Sequence, residues 1–528
     1  MACQQQKQVD LIVHNATIYS IDGGMNVYEA IAIDSGRIVE IGAEHQILNK
    51  YSAEKKVDVS GGYIYPGIID AHCHFLGYGI ESNRLDVTHT QSLEDFLSAV
   101  DSFARRSTLE WIIGRGWDHN KWLTKNYPHW RDLEEVLPGK HIAIKRVDGH
   151  AWLVSKSVLE LAGVTADSQI DGGEILLVDG EPSGVLIDNA MTLVNSVIPN
   201  VTRGDKVKAL LAAQDACIKN GLTMVTDAGL SVEDVRIIDS LHQQGILKIR
   251  VSAMYTASET LKQKLSAVAV ETDRLRAKAI KLYADGALGS RGALLLEPYA
   301  DQPGHFGLQL ISPDELSSWA ELCYEHGFQM NVHCIGDSAN RMVLHTMANT
   351  LKGINDRRWR IEHAQVVHPK DRAMFGAFNI IPSVQPTHAI SDMGWVENRL
   401  GPHRIGHAYS YKSLMDQNGL IALGTDFPVE QINPFETFRT AVERTDKNGE
   451  PKGGFIPGEK LSRENAIRGM TIFAAVSSFM EDKCGSLEPG KCADFVVLDT
   501  DIMKCPAANL LQVKVLQTWI DGEMVFGK

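Results

Sequence analysis

The feature that most constrains the fold of this chain is a recurrence of eight short apolar runs between residues 64 and 428. They read IYPGIIDAHCH, LTMVTDAG, KIRVSAMY, AIKLYADG, FQMNVHCIGD, RWRIEHAQ, NIIPSVQP and LIALGTDFP. Amphipathic helix patterns such as SPDELSSWAELCYEHG and SANRMVLHTMANTLKG lie between several of them. Strands that alternate with helices imply a parallel sheet, because a parallel connection needs a crossover. Eight such units predict an α/β fold of the (β/α)8 (TIM) barrel type, whose chemistry gathers at the C-terminal ends of the strands.

One interval departs from this spacing. About 150 residues separate His74 from LTMVTDAG, far more than one crossover requires. An inserted subdomain is therefore expected over about residues 85–200, after the first barrel strand and over the mouth of the barrel. The two ends of the chain are rich in β-branched runs broken by Gly, Asp and Asn: VDLIVHNATIYSID, AIAIDSGRIVEIG and KKVDVSGGYIYPG first, GSLEPGKCADFVVLDTD and VLQTWIDGEMVFG last. They predict one small sheet domain built from residues 1–62 and 477–528 around a barrel over 63–476.

Net charge narrows the partners. At −14, with 52 basic and 66 acidic residues, the chain lacks the basic surface that nucleic acid or an anionic membrane would need, while the charge says nothing positive about a small-molecule substrate. No run of about 18 apolar residues predicts a membrane span. The N-terminal MACQQQKQVDLIVHNATI has no apolar core after a basic start, so no secretory signal is expected. The eight cysteines are scattered without CxxC spacing, the pattern of reduced thiols in a cytoplasmic protein.

In IIDAHCHF, strand alternation turns His72 and His74 to one face and Cys73 to the other. Among 19 histidines such a pair arises readily by chance, and a single histidine at a strand end is more often structural. The joint pattern is harder to obtain: Lys281 lies in strand four, His333 ends strand five, His363 ends strand six and Asp426 ends strand eight. Imidazole and carboxylate are good Zn²⁺ ligands. A divalent metal lowers the pKa of bound water from about 16 to about 7, and a nearby carboxylate can move the proton to a leaving group. Asp426 is the candidate for that role. Lys281 has two readings: a core lysine paired to Asp285 or another carboxylate, or an amine carbamylated by CO₂ that bridges two metals.

With PGIIDAHCHF, WIIGRGWDHNKW, DGHAWLVS, GEPSGVLIDNA, KLYADGALGSRGA, NVHCIGD, RIEHAQ, LGTDFPV and SLEPGKCADFVVLD, nearly the whole chain resembles the amidohydrolase superfamily, in its YtcJ-like (amidohydrolase 3) branch. The resemblance implies a distorted (β/α)8 barrel with a small β-sandwich from both termini. It implies one or two divalent ions, Zn²⁺ first, with His72 and His74 on the first metal and His333 and His363 on the second. Lys281 matches the lysine carboxylated in binuclear members, and Asp426 matches the aspartate that binds metal and shuttles protons. The implied reaction is hydrolysis of an amide or other C–N bond, with cyclic amide, carbamate and ester as alternatives on the same site and a non-catalytic regulatory relative as a further one. Members often form homodimers.

Candidate substrate contacts are Trp117, Asp118 and Lys121 in the insertion, His150 in DGH, and Arg291 beyond strand four, where a guanidinium can hold a carboxylate or carbonyl bidentately. Packing and surface charge are the competing explanation for the insertion residues, and anchoring of the glycine-rich loop for Arg291. His388 and Trp395, after strand seven, are candidates to line the pocket.

Overall fold

The structure is a computed structural model that describes residues 6–82, 84–106, 110–147, 149, 151–170 and 173–527. It divides into two compact units, Met1–Phe75 with Gln214–Lys528, and Leu76–Ala213.

In the first unit each of the eight predicted runs contributes one strand to a single sheet, and these eight run parallel while the short Val270–Glu271 pairs antiparallel with the fourth: β1 (Ile68–Cys73), β2 (Leu222–Leu230), β3 (Arg250–Thr256), β4 (Leu275–Tyr283), β5 (Gln329–Cys334), β6 (Arg360–His363), β7 (Ile381–Val384) and β8 (Ala422–Leu423). Neighbours in sequence are neighbours in space, each pair parallel. The circle closes just beyond the ladder of β8. Asp426 N donates to His72 O at 2.7 Å and His74 N donates to Phe427 O at 2.8 Å. Gly424 permits the approach, since a Cβ there would lie 2.5 Å from His72 N. The buried Asp70 carboxylate fastens the same seam, accepting from Thr425 Oγ1 at 2.7 Å and from His72 N at 3.1 Å.

Two further sheets belong to this unit, and one of them uses both termini. One is four-stranded within residues 7–58, and the other joins Thr17–Tyr19, Val27–Tyr28 and Tyr63–Pro66 to Phe495–Leu498, Val515–Ile520 and Glu523–Phe526. Alternation in AIAID sends Ile31 and Ile33 into a core shared with Ile64, Phe495 and Trp519, while Ala30 and Ala32 pack with Ile47 on the other face.

The second unit holds a six-stranded sheet in the order Gly173–Val178, Glu181–Asp188, Ala151–Val154, His141–Arg146, Trp111–Trp117, Leu85–Asp86. Its core gathers Trp117, Trp122, Phe96, Leu133 and Ile142. The unit is wider than the 85–200 read from sequence, because helix residues at both ends pack within it. Gly79 lets the helix Phe75–Ser82 approach the helix Arg203–Lys219 so closely that a Cβ would meet Ala209 O at 2.0 Å. Among the described residues no helix is long and apolar enough to cross a membrane.

Candidate metal centre

The C-terminal ends of the barrel strands bring the predicted metal residues together. Donor atoms of His72, His363 and Asp426, all buried, lie within 4.8 Å of one another. His74 Nε2 is 3.2 Å and His72 Nε2 is 3.7 Å from Asp426 Oδ1. The His333 ring packs on that of His363 with centroids 4.5 Å apart, and His363 on His72 at 4.8 Å. Lys281 is buried with Nζ 3.4 Å from His72 Nε2. It is not paired to Asp285: that carboxylate accepts from the backbone N–H groups of Leu294, Ile335 and Gly336 at 2.8, 3.0 and 2.8 Å. Cys73 points away, its Sγ 3.5 Å from Thr226 O.

A second ring of residues, missed in the sequence, orients the first. His72 Nδ1 donates to Glu362 Oε2 at 2.5 Å, which leaves Nε2 free toward Asp426 and Lys281. Glu362 is gripped by Arg360, with Nε 2.6 Å from Oε1, and Arg360 also donates to Ala71 O at 2.6 Å and Ser383 Oγ at 2.7 Å. His363 Nδ1 donates to Gln385 Oε1 at 2.7 Å. Simple alternation would send Glu362 and His363 to opposite faces. His363 instead has φ +71°, a left-handed backbone that turns the end of β6 so that both reach His72, and Asp426, just beyond β8, has φ +63°. RIEH carried the signal in its adjacent acid and base.

Electrostatics favour neutral imidazoles beside an ionised carboxylate. Burial and then the Lys281 charge push His72 down to about 4, and the same two causes push His333 down to about 3. Burial and the neighbouring His333 hold His363 well below the ordinary imidazole value. Burial alone would raise Asp426, but the His74 hydrogen bond and the His72 and His388 charges hold it below the usual carboxylate range. Burial lowers Lys281 although Glu362 and Asp426 oppose it. Nε2 of His333 and Nε2 of His388 are buried without a hydrogen bond. Neutral imidazoles, an anionic oxygen and the unpartnered His333 Nε2 at such separations are the donor set a divalent cation takes.

A consequence follows for acid release of metal. Protons compete with metal for ordinary imidazoles near pH 6.5, whereas the protonation of His72, His333 and His363 is displaced downward. Bound divalent metal, assayed by elemental analysis after dialysis from pH 8 to pH 4, is therefore expected to persist to about pH 5. Half-loss near pH 6.5 would contradict it.

The other candidates have local partners. Trp117 is fully buried in the second unit, its Nε1 donating to Ile144 O at 2.8 Å. Asp118 caps the short 3₁₀ turn His119–Lys121, which contains Lys121, and accepts from Arg146 at 3.2 Å. Arg291 grips Asp301 through Nε and Nη2 at 3.1 and 2.9 Å, so its fork is already occupied by a carboxylate of its own loop. His150 lies outside the described residues. Trp395 closes over Gly289, where a Cβ would stand 3.2 Å from its ring. His388 does reach the centre, with Nε2 3.8 Å from Asp426 Oδ2.

Known proteins resemble the chain over nearly its whole length. A family model described as amidohydrolase family matches residues 55–526. The chain is 32% identical to the protein LONG AFTER FAR-RED 3 of Arabidopsis thaliana, covering 98% of this chain and 91% of that protein. It is 30% identical to the putative amidohydrolase YtcJ of Bacillus subtilis, over 98% of this chain and 99% of the relative. It is 25% identical to an N-substituted formamide deformylase of Arthrobacter pascens, over 97% of each. A solved structure of an uncharacterized metal-dependent hydrolase from Pyrococcus horikoshii superposes with a TM-score of 0.81 at 26% identity, covering 94% of this chain and 99% of that one.

Proposed function

The chain belongs to the amidohydrolase family, and from that premise we propose that it hydrolyses a C–N bond of a small amide, with formamides and other N-acyl amines as the first class to try. The observation that carries the reading is the convergence of four histidines, one lysine and one aspartate on one mouth of the barrel. In this reading His72, His74 and Asp426 hold one divalent ion, Zn²⁺ first given the nitrogen-rich donors. His333 and His363 hold a second when Lys281 is carbamylated. Burial depresses the Lys281 ammonium toward the neutral amine that CO₂ requires. The bound ion supplies Lewis acidity toward a carbonyl oxygen and lowers the pKa of water.

The chain's own residues account for the rest. Glu362 and Gln385 fix the ring orientations of His72 and His363. Asp426 takes the proton of the attacking water and delivers it to the departing nitrogen, which leaves poorly as an unprotonated amide anion. A relative named for deformylating N-substituted formamides at 25% identity supports formamides as the starting class. Cyclic amides, carbamates and esters are the competing substrates.

The test is a hydrolysis screen of metal-loaded protein against formamides, linear amides, cyclic amides, carbamates and esters. The expected result is a kcat/KM for the best C–N substrate at least about tenfold above that for any ester, a difference of about 1.4 kcal/mol in transition-state binding. Turnover of esters alone would sink the C–N assignment. A purified protein that binds far less than one equivalent of divalent metal would sink the enzyme.

A further inference from the structure

We propose that His388 is a catalytic residue whose Nε2–H donates to the substrate oxygen as the reacting carbon becomes tetrahedral. The proposal rests on the hydrolase reading above and adds a group to it. Asp426 presents its two oxygens to different neighbours: Oδ1 faces His74 and His72, at 3.2 and 3.7 Å, while Oδ2 faces His388 Nε2 at 3.8 Å. His388 therefore stands at the other oxygen of the catalytic carboxylate from the HxH pair. Its Nε2 is buried and makes no hydrogen bond. A buried imidazole nitrogen without a partner carries a desolvation cost that is recovered only when something binds to it. At 3.8 Å from Asp426 it is too far to be satisfied by that carboxylate and is placed for a group that enters the mouth.

The backbone that carries His388 is anchored as a donor's support should be. It lies on the helix Pro386–Ser391, directly after β7. At its start Gln385 binds His363 Nδ1 at 2.7 Å. At its end Asp392 Oδ2 accepts from Tyr409 Oη at 2.6 Å and from Gln365 Nε2 at 2.8 Å, while Ser391 Oγ donates to Glu430 at 2.6 Å. The His388 ring lies within 19° of parallel to that of His363, with centroids 6.0 Å apart. A donor fixed in advance against the oxygen that gains charge stabilises the transition state without reorganisation.

Methylphosphonate, a tetrahedral oxyanion, and acetate, a planar one, separate this role from simple packing. Calorimetry on metal-loaded wild type, H388A and H388Q reads binding without relying on turnover. H388A is expected to raise the methylphosphonate Kd by about tenfold or more and the acetate Kd by less than about threefold, because the donor is matched to the tetrahedral state. H388Q, whose amide also donates, should stay within about threefold of wild type for both, and bound metal should be unchanged in either variant. On the best substrate of the hydrolysis screen, H388A should lower kcat by about 10²-fold with KM little altered. Equal shifts for the two anions, or none for methylphosphonate, would overturn the proposal. Loss of half the bound metal in H388A would overturn it too, making His388 a ligand. Failure of wild type to bind methylphosphonate would also end it, whereas the hydrolysis screen judges the hydrolase reading independently of His388.

Discussion

Asp426→Asn is expected to lower turnover by about 10³-fold or more while the protein stays folded. The substitution removes the only carboxylate that lies within 4 Å of His72, His74 and His388 together among the described residues. An amide can neither accept the proton of an attacking water nor deliver it to nitrogen. The backbone tolerates the change well. Residue 426 sits at φ +63°, and asparagine is among the few side chains that accept this left-handed conformation readily. The seam it helps to close is made by its backbone N–H to His72 O, which the substitution leaves alone. Turnover and thermal unfolding of the variant check the two halves of the expectation. More than a tenth of wild-type activity would remove Asp426 from proton transfer, and a collapse of the unfolding transition would show that the carboxylate holds the barrel shut.

The barrel and the inner ring of the site were legible because they rest on short-range rules. Each of the eight runs is apolar enough to be a strand buried on both faces, and His72, Lys281, His333, His363 and Asp426 lie in or directly after such a run. What escaped depends on contacts that no periodicity encodes. Glu362 and His363 share a destination only because the backbone at 363 is left-handed. Gln385 caps the helix that follows β7, and its target His363 is set by β6. Arg291 invited a ligand in the sequence, yet its partner Asp301 is ten residues along the same loop. Trp117 is a candidate in the sequence only through the expected place of the insertion over the mouth, and its strand is interior to a sheet with its own core.

The largest stability effect is expected beneath the site, at Arg360→Met. Arg360 and Glu362 are both wholly buried, so neither charge has water to fall back on. Burial on its own would raise the Glu362 carboxyl; Arg360 comes first among the groups that hold it well below the usual range, and His72 and Lys281 act in the same direction. Removing the guanidinium leaves a buried carboxylate short of its main partner and also strips donors from Ala71 O and Ser383 Oγ. Breaking a buried pair from one side costs about 3–5 kcal/mol, whereas replacing both partners by apolar groups is often close to neutral. Denaturant unfolding of metal-free protein should therefore show a loss of about 3–5 kcal/mol for Arg360→Met, and recovery of much of it in Arg360→Met with Glu362→Leu. Function should not recover with stability. The double variant leaves His72 Nδ1 without its acceptor, so the ring is free to rotate and metal affinity should fall by about 10–100-fold. A loss below about 1 kcal/mol in the single variant would show the pair to be dispensable for folding. Wild-type metal affinity in the double variant would show that Glu362 does not orient His72. Recovery of stability without recovery of metal binding separates the two tasks of one carboxylate: carrying a charge that must be matched inside the barrel, and aiming the imidazole that faces its mouth.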